Sequence, residues 1–357
     1  MARSHHIDSL NIVMAASEAV PYVKTGGLAD VAGALPVELA KLGHTVTLIV
    51  PRYRGFHADG RSLRELGTIR VKTAMGAVDA TLEEDLIPVT GRGQSVRVVA
   101  VRYDPYFDRA GLYQGPDGDF SDNLARFAFF SHAIIEVIAF LGSSRREPIS
   151  VLHLHDWQTA LAAVYLKTTE RGRAIVGDVR TLLTLHNVGY QGIFPGPQFS
   201  ETGLPSDLFT PAGLEFYGSV NLLKGGILFA DRVSTVSPTY AKEIMSPDGG
   251  FGLEGVLAGR RDGVVGIING IDIGSWDPET DSHLAATYSR ADLSGKVVCK
   301  KALQLELGLP NRDVPLIGII GRLTSQKGFD LLAEIIPELM AEGVQIAILG
   351  TGDRILE

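Results

Sequence analysis

The chain has 357 residues, 45% of them apolar, 21% charged and only 7% aromatic, with a mean hydropathy of +0.15. At roughly 150 residues per domain this supplies about two domains with cores of their own, which excludes extended disorder. The 33 Lys and Arg against 41 Asp and Glu give a net charge of −8, the wrong sign for neutralising a nucleic-acid backbone or an anionic membrane, although a local basic pocket is compatible with it.

Cys299 is the one cysteine, so no internal disulfide can form, and no Cys/His spacing resembles a zinc site. A reducing, cytoplasmic setting is the expectation. Met1–Ser9 is polar, and the apolar run Leu10–Ala16 is too short to span a bilayer and reads as a strand.

From Asn11 onward, short β-branched runs alternate with longer stretches of helical period, the signature of βαβ units and a mostly parallel sheet. The predicted strands are Leu10–Ala16, Thr45–Val50, Val96–Val101, Ser150–Leu154, Arg180–Leu185, Arg232–Thr235 and Val264–Ile268. Between the first two, Leu28, Val31, Ala32, Leu35 and Leu39 fall on one helical face that ends near Gly43. A second long helix is predicted from about Asp122 to Phe140, and Pro238–Met245, opening with a proline after Ser237, gives another.

Asp272–Asp313 begins as a loop around Trp276-Asp277-Pro278 and closes with a helix over about Leu293–Leu307, reading as the passage between domains. A strand at Val314–Ile320, a helix at Gly328–Met340 and a strand at Val344–Leu349 then open a second Rossmann-like half. The expected division is 1–273 and 274–357. With two or three strands, the second domain is expected to be incomplete.

Lys24-Thr25-Gly26-Gly27-Leu28 follows the first strand and opens the first helix. Paired glycines admit close backbone approach, the helix start offers N–H groups, and Lys24 adds charge, so the segment suits an anion or sugar phosphate. A glycine-rich turn with a solvated lysine is the alternative. The segment is neither a Walker A loop nor a dinucleotide fingerprint. Gly321–Gly328 occupies the equivalent position in the second half, where Arg322 and Lys327 could converge on one diphosphate or stay solvated. Two such loops suggest a ligand held in a cleft between the halves.

His153, His155 and Asp156 end one predicted strand and His186-Asn187 another, and carboxyl ends of parallel strands are where open α/β sheets place their sites. A metal pair at His153 and His155 lacks a third ligand nearby in sequence. His186 reads better as a hydrogen-bonding group or a locally satisfied one. Asp117-Gly118-Asp119 superficially matches a metal motif, but the turn before Ser121-Asp122 accounts for it. Asn123, Arg126, Phe127 and Phe130 share the following helix, the aromatics reading as core.

Six separated segments together resemble the bacterial glycogen synthases and plant starch synthases. They are Lys24–Val31, His153–Leu161, Thr184–Phe194, Asn221–Pro238, Ile268–Asp272 and Gly321–Gly328, and the resemblance runs from about Leu10 to the end of the chain. It implies an α/β fold of the two-Rossmann-domain GT-B type, cytoplasmic location, and transfer of glucose from a nucleotide sugar, ADP-glucose in most bacteria, to the non-reducing end of an α-1,4-glucan with retention.

Carried over by position, the resemblance assigns Lys24, Gly26 and Gly27 to the donor diphosphate, with Asp30 near the site and Asn269 in the cleft. Arg322 and Lys327 would neutralise the leaving diphosphate, where negative charge grows in the transition state. His186 would hydrogen-bond the transferred glucose, and Asp156 and Trp157 would line the acceptor side. No metal or other cofactor is implied, because the two cations take that part.

The sequence departs from the family pattern after Gly350-Thr351-Gly352-Asp353, ahead of a glycine-rich segment that carries an active-site glutamate in the family. On that ground the chain as given is expected to be weakly active or inactive. Competing readings are a non-catalytic glucan-binding fragment and a related retaining glycosyltransferase using UDP-glucose. A nicotinamide dehydrogenase is suggested only by the fold signature and lacks the fingerprint.

Overall fold

The computed structural model describes residues 9–56, 62–91, 93–116, 118–144, 148–177 and 179–357. The chain divides into two compact units, the first ending at Asn269 and the second running from Gly270 to Glu357.

The first unit is built on β1 (Asn11–Ala15), α1 (Gly27–Lys41), β2 (Thr45–Pro51), β3 (Arg64–Thr73), β4 (Gly76–Val89), β5 (Gln94–Arg102), α2 (Asn123–Ser144), β6 (Val151–His155), α3 (Trp157–Thr168), β7 (Arg180–Leu185), α4 (Leu222–Phe229), β8 (Arg232–Thr235) and β9 (Val265–Gly266). These nine strands form one sheet in the order β9-β8-β7-β6-β1-β2-β5-β4-β3. Seven neighbours from β9 to β5 run parallel, and β4 and β3 add an antiparallel edge.

That antiparallel hairpin departs from the predicted pattern, and the predicted strand at Val264–Ile268 shrinks to two paired residues. Where Asp117-Gly118-Asp119 reads as a turn, Gly118–Asp119 pairs antiparallel with Gln114–Gly115, and Asp117 lies outside the described residues. The Asp122 carboxylate is held by Arg109 at 2.6 and 2.7 Å.

Alternate residues of β1 feed opposite layers, as a buried strand's two-residue period requires. Val13 and Ala15 join the larger core with α2 and α3, whereas Ile12 and Met14 join the smaller one beneath α1. The deepest residues of α1 are Leu28, Ala29, Ala32, Pro36 and Ala40, a face rotated toward small side chains, with Leu35 and Leu39 only partly buried against it. Close approach explains the shift: a Cβ at Gly33 would lie 2.6 Å from the carbonyl oxygen of Val20.

Helix α2 is long and apolar enough over Asn123–Gly142 to cross a membrane, but Phe127, Phe129 and Phe130 sit fully buried in the core. Arg126 is buried with them. Its guanidinium donates to the Tyr106 carbonyl and the Asn123 side chain, both at 2.7 Å, and lies over the rings of Phe107, Phe120 and Phe127.

The second unit contains α5 (Ser294–Glu306), β10 (Leu316–Ile320), α6 (Phe329–Ala341) and β11 (Gln345–Leu349). The two strands pair in parallel, the βαβ start that the sequence pattern predicts.

Candidate active site

The strand order reverses beside β1: β2 lies on one side of it and β6 on the other. Crevices outside the carboxyl ends of strands at such a switch point are where open α/β sheets bind ligands. Ser17 and Glu18 follow β1, Asp156 follows β6, and His186 and Asn187 follow β7.

Glu18 is the centre of this end of the sheet. Its buried carboxylate accepts hydrogen bonds from the amide of Thr25 (2.5 Å), the hydroxyl of Thr25 (3.0 Å) and the amide of Gly26 (3.2 Å). Tyr113 donates to it at 3.2 Å and shares a 2.7 Å hydrogen bond with Ser17. Burial pushes the Tyr113 phenol well above its ordinary pKa, so it stays protonated and can donate.

Two amides of the glycine-rich segment are therefore already committed to a carboxylate. The amides of Gly27 and Leu28, which open α1, have no acceptor among the described residues and retain the capacity of a helix start for an anion. Lys24 lies at the same spot, 2.7 Å from Asp30, with both side chains nearly half exposed.

Among the described residues nothing asks for glycine at positions 26 and 27. Gly26 is extended (φ −156°), and a Cβ at either position would meet nothing within 4 Å. By contrast, a Cβ at Gly192 would lie 2.5 Å from the ring of Trp157, and one at Gly226 would lie 2.6 Å from Ala160. The bare surface at 26 and 27 leaves room for something outside the chain.

Asp156 turns the backbone at the end of β6 with φ 55° and ψ −171°, a region that side-chain-bearing residues rarely occupy and that concentrates at functional sites. The strain is held by hydrogen bonds on both sides. Its amide donates to the Thr184 carbonyl at 3.0 Å, while its carboxylate accepts from the backbone amides of His186, at 2.7 Å, and Asn187. Burial pushes its pKa up to about 7 against those two hydrogen bonds, with the nearby Glu18 charge adding to the rise.

Three histidines line up beside it. His153 Nε2 lies 2.7 Å from the Thr184 hydroxyl, which in turn meets Ser234 at 2.8 Å. His155 Nδ1 lies 3.0 Å from His186 Nε2. Desolvation lowers all three pKa values, to about 3 for His153, to about 4 for His186 and far below normal for His155, so the group is neutral near pH 7. Among the described residues no cluster of three or more His, Cys, Asp and Glu could hold a metal ion.

The loop after β7 is pinned by the resembling segment at Asn221. Asn221 caps α4 by accepting from the Lys224 amide at 2.9 Å and donates to Gln191 at 2.6 Å, and Gln191 donates to the carbonyls of Val188 and Phe251. Lys224 is buried and tied to the carbonyls of Pro211 and Glu215, a structural role. Trp157 is likewise packed inside, edge-on to Phe127 at 4.9 Å and against Phe194 at 5.9 Å, with 9% of its surface exposed.

In the second unit, Arg322 and Lys327 are exposed on the segment between β10 and α6, and the 3-10 turn Ser325–Lys327 ends at Gly328 with φ 75°. A Cβ at Gly321, as at Gly26 and Gly27, would meet nothing within 4 Å. Asn269, the last residue of the first unit, is exposed.

The first unit thus brings together Lys24, Gly26, Gly27 and Asp30 at one strand end and Asp156 and His186 at the neighbouring ones. Sequence reasoning missed Glu18, Tyr113 and the pairing role of His155. The one available signal for Glu18 was its position three residues beyond the end of β1.

A family model described as the starch synthase catalytic domain matches residues 11–259. Glycogen synthase 2 of Geobacter sulfurreducens is 43% identical over 346 residues, covering 96% of this chain and 69% of that protein. The glycogen synthase of Anaeromyxobacter sp. strain Fw109-5 is 44% identical over 350 residues, covering 98% and 70%. Among solved structures, the catalytic domain of starch synthase IV from Arabidopsis thaliana, bound to ADP and acarbose, matches with a TM-score of 0.84 at 33% identity, over 96% of this chain and 69% of that one. The architecture is accordingly the GT-B type of glycosyltransferase. With the family model spanning most of the first unit and these relatives spanning nearly the whole chain, the protein belongs to the starch synthase catalytic domain family, the glycosyltransferases that make glycogen and starch.

Proposed function

We propose that the chain transfers glucose from ADP-glucose to the non-reducing end of an α-1,4-glucan, with retention of configuration, in the cytoplasm. The observation that carries the site assignment is the unobstructed surface at Gly26 and Gly27, beside Lys24 and the open amides of α1. ADP in the starch synthase IV structure supports the nucleotide, and acarbose there supports a glucan-like ligand.

In this reading Lys24 and the amides of Gly27 and Leu28 hold the donor diphosphate. Asp30 holds Lys24 in place, and Glu18 fixes the loop that presents them. Transfer breaks the bond between the anomeric carbon and the diphosphate oxygen, whose electron pair leaves with ADP. The acceptor hydroxyl forms the new glycosidic bond and loses its proton to the departing phosphate. Arg322 and Lys327 meet the charge that grows on the diphosphate, and fixed cations accelerate a reaction most where charge develops in the transition state.

His186 hydrogen-bonds the transferred glucose, and a neutral ring suits an uncharged sugar. Asp156 serves the acceptor side and sets the height of His186 through its amide. Asn269 joins the donor-side contacts. The alternative donor, UDP-glucose, is tested by the same assay.

The test is saturation with ADP-glucose in wild type and Lys24→Ala. The variant should need a higher donor concentration and turn over more slowly. Unchanged donor saturation overturns the assignment of Lys24.

A further inference from the structure

His186 is in contact with a buried neighbour through one of its two ring nitrogens. Its Nε2 lies 3.0 Å from Nδ1 of His155. His155 is fully buried, and its own Nε2 is enclosed without a hydrogen-bond partner among the described residues. The ring of His153, itself engaged with Thr184, lies against it at 4.2 Å and 34°.

Two neutral imidazoles can share that contact in two ways. If His186 donates from Nε2, His155 accepts on Nδ1 and carries its proton on Nε2, which buries an N–H with no acceptor. If His155 donates from Nδ1, its Nε2 is left as a bare lone pair, and His186 carries its proton on Nδ1. Buried N–H groups without acceptors are the rarer defect in folded proteins, and under-satisfied acceptors are tolerated more often. The second arrangement is therefore favoured. The other partner of a histidine commonly fixes its tautomer in this way.

We propose that His155 is a positioning residue for glucose transfer: it donates from Nδ1 to Nε2 of His186 and locks His186 with its proton on Nδ1. His186 then offers the sugar a hydrogen-bond donor, and the bound oxygen must accept. The inference rests on the reading of His186 as the sugar-binding group. The tautomer itself can be measured without any substrate.

The ring-nitrogen spectrum of the full chain carrying isotope-labelled histidine, with the His186 signals assigned by their loss in His186→Gln, tests it directly. A protonated Nδ1 and an accepting Nε2 on His186 are expected. A protonated Nε2 with a bare Nδ1 overturns the proposal, whether or not glucose transfer is detected.

His155→Phe keeps a ring but removes the donor, and should lower kcat by about tenfold to a hundredfold with the donor KM changed by less than about threefold. His155→Gln, whose side-chain amide can donate, should restore the His186 signature and part of kcat. A slow His155→Phe with the tautomer unchanged, or a folded His155→Gln as slow as His155→Phe, contradicts the role. Should His155→Phe fail to fold, the wild-type spectrum still decides.

Discussion

The carboxylate of Glu18 holds the amide of Gly26 at 3.2 Å, and through the Thr25 amide at 2.5 Å it sets the backbone that leads into α1. A negative charge of the protein's own thus sits on the amides just before the helix start, while the next two amides remain open. Glu18→Ala should cost about 2 kcal/mol of stability, the value of hydrogen bonds to a buried charged acceptor. It should also raise the donor KM, because the loop loses its fixed form. Denaturant unfolding and donor saturation of the same variant check both parts, and an unaltered KM in a destabilised variant would separate the clamp from the donor.

Glycine substitutions should split stability from activity. Gly27→Ala removes a flexible residue from a helix without meeting any atom, so it should be neutral or stabilise by up to about 1 kcal/mol. Its methyl group nevertheless enters the space assigned to the donor and should weaken donor binding. Gly33→Ala drives a methyl into Val20 and should destabilise by about 1–3 kcal/mol, with donor KM little changed. Melting curves and donor titrations on the pair distinguish the two kinds of glycine.

Acid should unfold the first unit through its histidines. His132, His153, His155 and His186 all have lowered pKa values when folded, so the unfolded chain binds protons that the folded one refuses, and stability falls as pH drops below about 6.5. Asp156 works in the opposite sense. Raised to about 7 from an ordinary 3.8, it favours the folded state at low pH, and that contribution is lost as pH rises through 7. Four groups outweigh one, so net stability should fall on acidification. In Asp156→Asn the fall below 6.5 should be steeper than in wild type; urea midpoints across that range test it, and an identical slope contradicts the shift.

Arg322 and Lys327 are exposed, so replacing either with alanine should leave stability within about 0.5 kcal/mol. Turnover should nevertheless fall by about two to three orders of magnitude if each meets transition-state charge. A change confined to glucan affinity would argue against that role.

The parallel core strands were legible because their apolar runs are bounded by turn residues, and β7 and β8 coincide with their predicted limits. The β3–β4 hairpin was not, since Arg64–Thr73 is largely polar and faces solvent along much of its length, and its Ala74-Met75 turn lacks the Asn-Gly type of signal. Helix α3 also escaped. Its residues Trp157–Leu166 are buried on every side, so no amphipathic period exists to detect. In the site, the glycine loop and the strand-end histidines stood out locally, whereas the clamp at Glu18 and the contact between His155 and His186 join segments 7 to 31 residues apart that only the folded sheet brings together.

We propose that the strand-end site of the first unit serves glucose transfer from ADP-glucose. Incorporation of labelled glucose into glycogen, measured for the chain and for His186→Ala with ADP-glucose and UDP-glucose in parallel, tests it most directly. Weak incorporation from ADP-glucose is expected, and His186→Ala should reduce it by orders of magnitude. Incorporation unaffected by His186→Ala, or confined to UDP-glucose, would contradict it.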